Sequence, residues 1–506
     1  MATIIDLMQY SFLFLMSILF LLTIQFLIQI FINKRGKVRH PPSPQALPLF
    51  GHIHLLSSSL PKSFQTLARK YGPLMQIRIY TSTFLVVSNP NIAEEILKTQ
   101  DIYFGTRFET CPTDYNIYRG SGFIASPFGA YWRFMRKLSM TKLFNGPQLN
   151  RFNHIREQEI ETLLKFLMDC SRRGATCDLN LELESLMNNI ICRMVMSKRF
   201  SNNAIGAKQL KKLVAEVMDV SARFGVNQVF GFLKKFDILG TGKMLKAVML
   251  QYDELLEEIM KEYEENILVH QDGSRNEEKD VMDILLETYR DPNAEVKITR
   301  NQIKFFIMEL LFASIDTTSA AIQWAMAELI NSPSIFKKLR EEINSVVGSN
   351  RLVKESDVPD LPYLQSVIKE SLRLHPPSTF LRRECTKDCK INGYDVNAGS
   401  RIMINVYGIM RDPDSWNDPG KFMPERFMES NGQDFRYLPF GGGRRGCVGT
   451  KLSYLVMNAT IGALVQCFDW QVKDGERVDI RVGAGFTGAM TVPMLCYPIT
   501  CFDPFH

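Results

Sequence analysis

The longest apolar stretch of the chain lies at its N-terminal end. Residues 7–33 carry no charged side chain and are rich in Leu, Ile and Phe. A helix of this length crosses about 30 Å of hydrocarbon with some tilt. The stretch runs straight into a basic cluster, Lys34 to Arg39, which the positive-inside rule assigns to the cytoplasmic side together with everything after it. We therefore predict a single-pass membrane anchor at residues 1–33.

Two other readings of this segment fit less well. A cleaved signal peptide has a shorter apolar core and a small-residue cleavage site, and a buried core helix is seldom this long.

The next residues are rich in proline, with Pro41, Pro42, Pro44 and Pro48. Since proline fixes φ and stops helices, residues 34–48 are predicted to be a stiff hinge. Residues 49–506 then form the body.

Within the body, the period of the apolar positions changes from two to 3.6. Alternation at 74–80 and 84–88 predicts two early strands. Helical spacing dominates from residue 91, and an apolar-centred pattern over 301–331 predicts a helix buried in the core. The remaining helices are expected at 91–99, where Asn91 would be the N-cap, and at 130–144, 152–171 and 244–268, and further strands at 388–396 and 401–406 and in a hairpin around 483–496. The predicted fold is mainly α with small β-sheets.

Composition and charge narrow the function classes. Hydrophobic residues make up 45% of the 506, which is ample for one large core. The net charge of +6 is modest and dispersed, so it favours an acidic partner or a membrane surface weakly and gives no case for nucleic acid. Ten cysteines show no Cys-x-x-Cys spacing. Cys385 and Cys389 lack a further ligand that would complete a metal site.

One cysteine stands in an unusual loop. Cys447 lies among glycines at 441, 442, 443, 446 and 449, follows two arginines, and precedes an apolar helical run. Uncovered backbone N–H groups, cationic side chains and a helix N-terminus all favour a thiolate. A lone cysteine is more often an apolar filler of the core. A soft thiolate, however, is the axial ligand with which P450s activate oxygen.

The segment resembles the haem-binding signature of cytochrome P450s, Phe-x-x-Gly-x-Arg-x-Cys-x-Gly, at Phe440, Gly443, Arg445, Cys447 and Gly449. The resemblance implies the P450 fold as one domain, haem b, and Cys447 as the axial iron ligand. It further implies a plant-type microsomal monooxygenase anchored in the endoplasmic reticulum membrane. Such an enzyme takes electrons from NADPH through NADPH–cytochrome P450 reductase, and inserts one atom of O₂ into a substrate C–H bond.

Further residues match the family's haem-contacting and structural positions. Trp132 and Arg136 are four apart, so an indole N–H and a guanidinium reach one side of a helix and suit a carboxylate. The resemblance supplies a haem propionate as that carboxylate, and adds Arg383 and Arg445. Glu370 and Arg373 share a helix face, and with Arg426 they match the family's structural Glu–Arg–Arg network, to which no chemical step is assigned.

Polar residues interrupt the long buried helix at 313–319. Back-bonding of hydroxyls to i−4 carbonyls would explain the serines and threonines, but a mid-helix carboxylate in apolar surroundings is costly. Ala313, Asp316, Thr317 and Thr318 match the family's oxygen-activation motif. Asp316 and Thr317 are therefore expected to deliver protons. Ser314 replaces the family's usual glycine and adds volume and a hydroxyl at that position.

The pocket is inferred by alignment to the family's substrate-recognition regions, at residues 104–118, 306–313, 378–381 and 486–490. Its predicted members are mostly apolar, which favours a bulky neutral lipophile: Phe306, Leu310, Ala313, Phe380, Leu381, Phe486, Ala489 and Met490. A pentacyclic triterpenoid, with successive oxidations of one carbon to a carboxylic acid as an extension, is favoured over a flavonoid or isoflavonoid. A haem-thiolate isomerase or dehydratase acting on hydroperoxides, or a non-enzymatic haem sensor, would need no Asp–Thr pair.

Overall fold

The computed structural model describes residues 39–108, 117–118, 120–197, 240–269, 279–428, 434–473, most of 475–505, and scattered positions in 10–23 and 213–220. The predicted anchor at 1–33 falls almost wholly outside these residues, as do 34–38 of the hinge. Six positions of the anchor segment are described, and each is helical and exposed. Within the described chain, one helix, Arg300–Ile330, is long and apolar enough to cross a membrane. Since 61% of its most apolar window is buried inside the protein, it is a core helix.

Helices make up most of the described chain, as the sequence predicted. Short 3₁₀ turns lie at Ile53–Leu55, Glu355–Asp360, Pro424–Phe427 and Gly443–Arg445. The helices are α1 Leu60–Tyr71, α2 Pro90–Glu94, α3 Ala130–Leu138, α4 Gly146–Arg151, α5 Asn153–Arg173, α6 Leu179–Met196, α7 Thr241–Val269, α8 Val281–Arg290, α9 Arg300–Ile330, α10 Pro333–Val347, α11 Pro362–Leu374, α12 Val406–Ile409 and α13 Thr450–Cys467. π-Helical turns at Glu95–Thr99 and Ser139–Leu143 continue α2 and α3.

The strands form small sheets beside the helices. They are β1 Leu74–Ile79, β2 Ser82–Val87, β3 Cys177–Asp178, β4 Phe380–Glu384, β5 Cys389–Ile391, β6 Tyr394–Val396, β7 Arg401–Asn405, β8 Phe468–Val472 and β9 Leu495–Thr500. The largest sheet has the order β1-β2-β7-β4, in which β2 and β7 are parallel and the other neighbours antiparallel. β3, β9 and β8 form a second sheet, and β5 and β6 a hairpin. Half of the hairpin predicted around 483–496 lies outside the described residues, and β9 begins only at its end.

Helix boundaries follow local capping chemistry. Thr299 and Gln302 form a capping box at the start of α9, in which each side chain accepts from the other's backbone N–H. The predicted N-cap Asn91 is wrong, because the side chain of Asn89 accepts from the N–H groups of Asn91 and Ile92. Pro90 at the first helical position explains the shift, since it needs no N–H partner there.

The core surrounds α9. This helix packs against α6 on one side and against α11 and α13 on another. Residues 318–329 are buried all round, as expected of a helix without a polar face. The hydroxyls of Thr318 and Ser453 lie 3.1 Å apart and join α9 to α13. The fold therefore fixes the middle of α9 relative to the helix that begins just after Cys447.

Candidate active site

The loop that carries Cys447, just before α13, is held in shape by backbone hydrogen bonds. The N–H of Cys447 donates to the carbonyl of Phe440 at 3.0 Å, and that of Gly446 donates to Gly443 at 3.0 Å. Gly443 has φ +66°, and a Cβ there would lie 1.9 Å from the carbonyl oxygen of Leu97. Only glycine permits this approach. Cys447 is a free, exposed cysteine, so its thiol is available to a ligand.

Guanidinium groups surround this loop. Arg136 donates to the carbonyl of Gly446 at 2.5 Å, and Arg383 donates to that of Gly442 at 3.4 Å. Arg445 lies 4.3 Å over the ring of Trp132. Trp132, which is buried, also stacks on Phe123 with ring centroids 6.3 Å apart. The structure thus brings together the four residues predicted to bind the haem propionates, which we call the clamp: Trp132, Arg136, Arg383 and Arg445.

Strand alternation explains how Arg383 reaches the loop. Successive side chains of a strand point to opposite faces. On β4, Leu381 therefore shares a face with Arg383. This face meets the cysteine loop, because a Cβ placed on Gly441 would lie 3.2 Å from Cδ2 of Leu381. Phe380 points to the other face and packs on Phe64 at a centroid distance of 5.6 Å. The structure does not bring Phe380 and Leu381, both predicted pocket residues, to one surface.

A fourth arginine, Arg107, joins the group. It donates to the carbonyls of Ile124 and Arg445, both at 3.2 Å. Burial lowers the pKa of Arg107, and a charge on Cys447 and that of Glu309 oppose the shift. Burial also lowers the pKa of Arg445 to about 9, with the charges of Arg107 and Arg136 adding to the effect. The arginines repel one another in a poorly solvated space.

The described residues provide no carboxylate within ion-pair distance of Arg107, Arg136, Arg383 or Arg445. Burying several like charges is costly unless an anion compensates them. The cluster therefore points to a bound anion with more than one carboxylate, beside an exposed thiol.

Comparison with known proteins decides the family. A sequence model of cytochrome P450 matches residues 41–493. This chain belongs to the cytochrome P450 family. It is 38% identical to beta-amyrin 24-hydroxylase of Glycine max over 94% of this chain and 96% of that protein. It is 36% identical to 3,9-dihydroxypterocarpan 6A-monooxygenase of the same species, again over 94% of this chain and 96% of that protein. It is 40% identical to cytochrome P450 705A12 of Arabidopsis thaliana, over 94% of each chain.

Solved structures agree on the fold. A zebra fish cytochrome P450 with progesterone superposes with a TM-score of 0.75 and 26% identity, covering 87% of this chain and 99% of that one. A zebra fish cytochrome P450 with abiraterone superposes with a TM-score of 0.75 and 23% identity, covering 89% of this chain and 100% of that one. The predicted fold and the predicted class, an oxidoreductase monooxygenase, are confirmed.

The P450 family implies a haem held by a cysteine thiolate, and the residues present fit it. Cys447 would hold the iron, and Trp132, Arg136, Arg383 and Arg445 would hold the propionate groups. These arginines, which have no carboxylate within ion-pair distance among the described residues, supply the positive charge that two carboxylates need. Phe440, whose ring centroid lies 5.1 Å from that of Tyr454, and Gly449 complete the loop. When bound, the haem supplies the oxygen-activating chemistry.

The P450's α9 is open on one side near its middle. Phe312 is 41% exposed, and Ala313, Asp316 and Thr317 on the same side are partly exposed. Phe312 and Asp316 are one turn apart, as are Ala313 and Thr317, so they share a face. A face of a core helix that is left open, with an exposed phenyl ring on it, is the surface expected to border a ligand.

Hydroxyls along this stretch bond back to their own helix. Ser314 donates to Leu310 at 2.6 Å and Thr317 to Ala313 at 2.6 Å. The proton of the Thr317 hydroxyl is thus already engaged, which leaves its oxygen as an acceptor. The proton of the Ser314 hydroxyl is likewise engaged in a bond to the backbone. It therefore adds volume to α9 without a free donor.

Asp316 has a charge that burial disfavours. Burial raises its pKa to about 6, and the charge of Glu184 adds to the rise. No described residue donates a hydrogen bond to this carboxylate. A carboxyl group poised near neutral pH is suited to taking up and releasing protons.

We expect Asp316→Asn to stabilise the P450 in a pH-dependent way. The wild-type carboxyl has its pKa raised from 3.8 to about 6 in the folded protein, so the stability of the wild type falls as pH rises from 4 to 6. The amide escapes this cost. The variant should therefore gain about 2 kcal/mol above pH 6 and nothing near pH 4, as measured by chemical denaturation. Asp414→Asn, at an exposed site, is the control, and a gain that does not depend on pH would contradict the interpretation.

The five predicted pocket residues other than Ala313, Phe380 and Leu381 divide into three groups. Phe306 and Leu310 on α9 are buried, and Phe306 packs edge-on to Phe123 at 5.7 Å. Met490 packs at the edge of the large core. Phe486 and Ala489 lie outside the described residues.

Sequence reasoning missed Arg107 and Glu309. Glu309 carried the same signal that singled out Asp316, a carboxylate in an apolar helix. Arg107 carried none, because its role depends on segments far away in the chain.

Proposed function

We propose that this P450 inserts one oxygen atom from O₂ into a C–H bond of a bulky lipophilic plant metabolite, and that the metabolite is a pentacyclic triterpenoid. The open face of α9 carries the proposal. Phe312 and Ala313 line it, and Asp316 is its one ionisable group among the described residues of that face. A neutral polycyclic hydrocarbon needs apolar contact area and no counter-charge.

The relatives support the proposal and supply the second candidate. Beta-amyrin, named for one relative, is a pentacyclic triterpene alcohol. A pterocarpan, named for another, belongs to the isoflavonoids and carries phenolic hydroxyls. Since Phe312 and Ala313 give this face apolar contact area that suits a hydrocarbon skeleton better than phenolic hydroxyls, the triterpenoid is preferred.

In this function the chain's residues bind and move protons. Cys447 and the arginine clamp hold the cofactor. Asp316 exchanges a proton with solvent at the open face, and Thr317 offers its oxygen as an acceptor to a hydroxyl there.

Coexpression in yeast with a plant NADPH–cytochrome P450 reductase tests the substrate class. Triterpenes and flavonoids are fed in parallel, and products are read by mass spectrometry. Oxidised triterpenes alone are expected, including a carboxylic acid if oxidation repeats at one carbon. Products from flavonoids alone would select the second candidate. Turnover of hydroperoxides without reductase would select an isomerase or dehydratase.

We also propose that the protein is anchored in the endoplasmic reticulum membrane by residues 1–33, with the catalytic domain in the cytoplasm. The charge-free apolar segment and the basic cluster after it support this. Electrons from NADPH would arrive through the reductase, on a positive face formed by Arg133, Lys137, Lys142 and Arg444.

Two residues of this face are already paired. Lys137 binds Glu295 at 3.0 Å, and Arg444 binds Asp101 at 2.9 Å. Arg133 and Lys142 are exposed, and neither has an acidic partner among the described residues. Substitution of Arg133 and Lys142 therefore tests the docking face without breaking an ion pair within the protein.

We expect Arg133→Glu/Lys142→Glu to slow reduction by the reductase about tenfold at low salt, because electrostatic steering is reversed. The deficit should shrink at high salt, where charges are screened. Stopped-flow reduction measures both. Lys62→Glu/Lys70→Glu on α1 is the matched control. Oxidation driven by added peroxide bypasses the reductase, so a parallel loss by that route would contradict the docking assignment.

A further inference from the structure

Glu309 lies on α9 one turn before the open face and binds a neighbouring loop. One carboxylate oxygen accepts from the N–H of Phe123 at 2.7 Å, and the other accepts from that of Ile124 at 2.9 Å. Both oxygens of the side chain are thus used by consecutive peptide groups. Charge-assisted bonds of this kind are about twice as strong as neutral ones.

The loop that Glu309 holds makes the next contacts with the arginine clamp. The carbonyl of Ile124 accepts from Arg107 at 3.2 Å and from Arg445 at 3.4 Å. The carbonyl of Ser126 accepts from Arg445 at 2.5 Å. The Ile124 residue therefore receives the carboxylate at its N–H and two guanidinium groups at its C=O. These two groups belong to neighbouring peptide units, so the backbone of Ile124 itself links Glu309 to both guanidinium groups.

The loop fits closely against α9. A Cβ on Gly122 would lie 2.6 Å from Cε1 of Phe305 and 3.1 Å from Oε1 of Glu309. Farther along the chain, Tyr131 donates to the carbonyl of Ser121 at 2.8 Å. Little space remains for the loop to shift once the carboxylate bonds are made.

We propose that Glu309 is a positioning residue for the haem clamp. It fixes the Phe123–Ile124 peptides, and so the Ile124 carbonyl aims Arg107 and Arg445 at the haem carboxylates. The inference rests on the proposed clamp and adds a residue that does not itself touch the cofactor. Its loss should weaken haem retention while leaving the Cys447 ligand intact.

The test is haem transfer from the full-length holoprotein to excess apomyoglobin. Gln has the shape of Glu but presents one donor group to the two N–H groups, so Glu309→Gln should lose one of the bonds and weaken the other. We expect transfer about tenfold faster, with the thiolate signature of the ferrous–CO spectrum retained. Glu328→Gln is the matched control, since it makes the same change on α9 at a buried residue that binds His375 instead. It should leave transfer unchanged.

The pH profile separates positioning from a general loss of stability. The carboxyl of Glu309 faces Arg107 and Arg445, and its charge also acts on Tyr131. Burial raises its pKa to about 7, against the bonds from Phe123 and Ile124. A protonated Glu resembles Gln, so the ratio of variant to wild-type transfer rates should be large at pH 8 and fall towards one near pH 5.5. A merely structural role would leave the ratio constant.

Two further measurements check the role of Glu309 independently. If Glu309→Gln does not accumulate, hydrogen exchange on the wild-type protein must show protected amides at Phe123 and Ile124. In a double-mutant cycle with Arg107→Lys, the effects on transfer should not add, because both act through the Ile124 carbonyl. Unchanged transfer in Glu309→Gln, rapid exchange at both amides, or additivity overturns the inference. A wild-type chain that binds no haem overturns the proposed function instead.

Discussion

Cys447→Ser is expected to abolish the thiolate signature of the ferrous–CO spectrum and to reduce monooxygenation about a thousandfold or more. A serine hydroxyl is not ionised near neutral pH and donates electrons to iron poorly. The structure gives this variant a clear interpretation. The loop is held by backbone bonds, such as that from Cys447 N–H to Phe440, which the substitution leaves in place.

A second exposed cysteine serves as the control. Cys501 is also free and exposed, and its thiol donates to Asp469 at 3.0 Å. Cys501→Ser should keep both spectrum and turnover. A Cys447→Ser protein that retained both would show that Cys447 is not the iron ligand.

Glu370→Gln is expected to cost about 3–5 kcal/mol of folding free energy, because breaking a buried ion pair leaves an uncompensated charge. Glu370 and Arg373 are fully buried and bidentate, at 2.8 Å for both contacts. Arg426 donates to the same carboxylate at 3.0 Å. Arg373 also donates to the carbonyls of Met410 and Pro419, so the pair joins α11 to the segment before the cysteine loop.

Chemical denaturation of the haem-loaded protein measures the cost. The matched control is Glu94→Gln, which breaks the exposed pair between Glu94 and Lys98. That pair should contribute only about 0.3–0.5 kcal/mol. Equal losses in the two variants would contradict the structural role of the buried network.

Much of the site could be predicted because its chemistry is local in sequence. The cysteine loop needs glycine at 443 for its own backbone conformation. Trp132 and Arg136 share a side of α3 because they are four apart. The distribution of the pocket residues could not be predicted in this way. Phe380 and Leu381 are adjacent in sequence, yet they lie in strand β4, which the sequence did not predict, and alternation along that strand sends them to opposite faces.

The sequence by itself determined the family, the helical class of the fold and the residues of the cysteine loop, since each follows from a short motif or a local period. Tertiary structure alone decided which arginines meet and what orients them. Arg107 and Glu309 are about two hundred positions apart, and only the packing of the 120–126 loop on α9 places one residue, Ile124, between them. Contacts of that kind depend on backbone carbonyls and N–H groups, which every residue carries and which no side-chain pattern reveals.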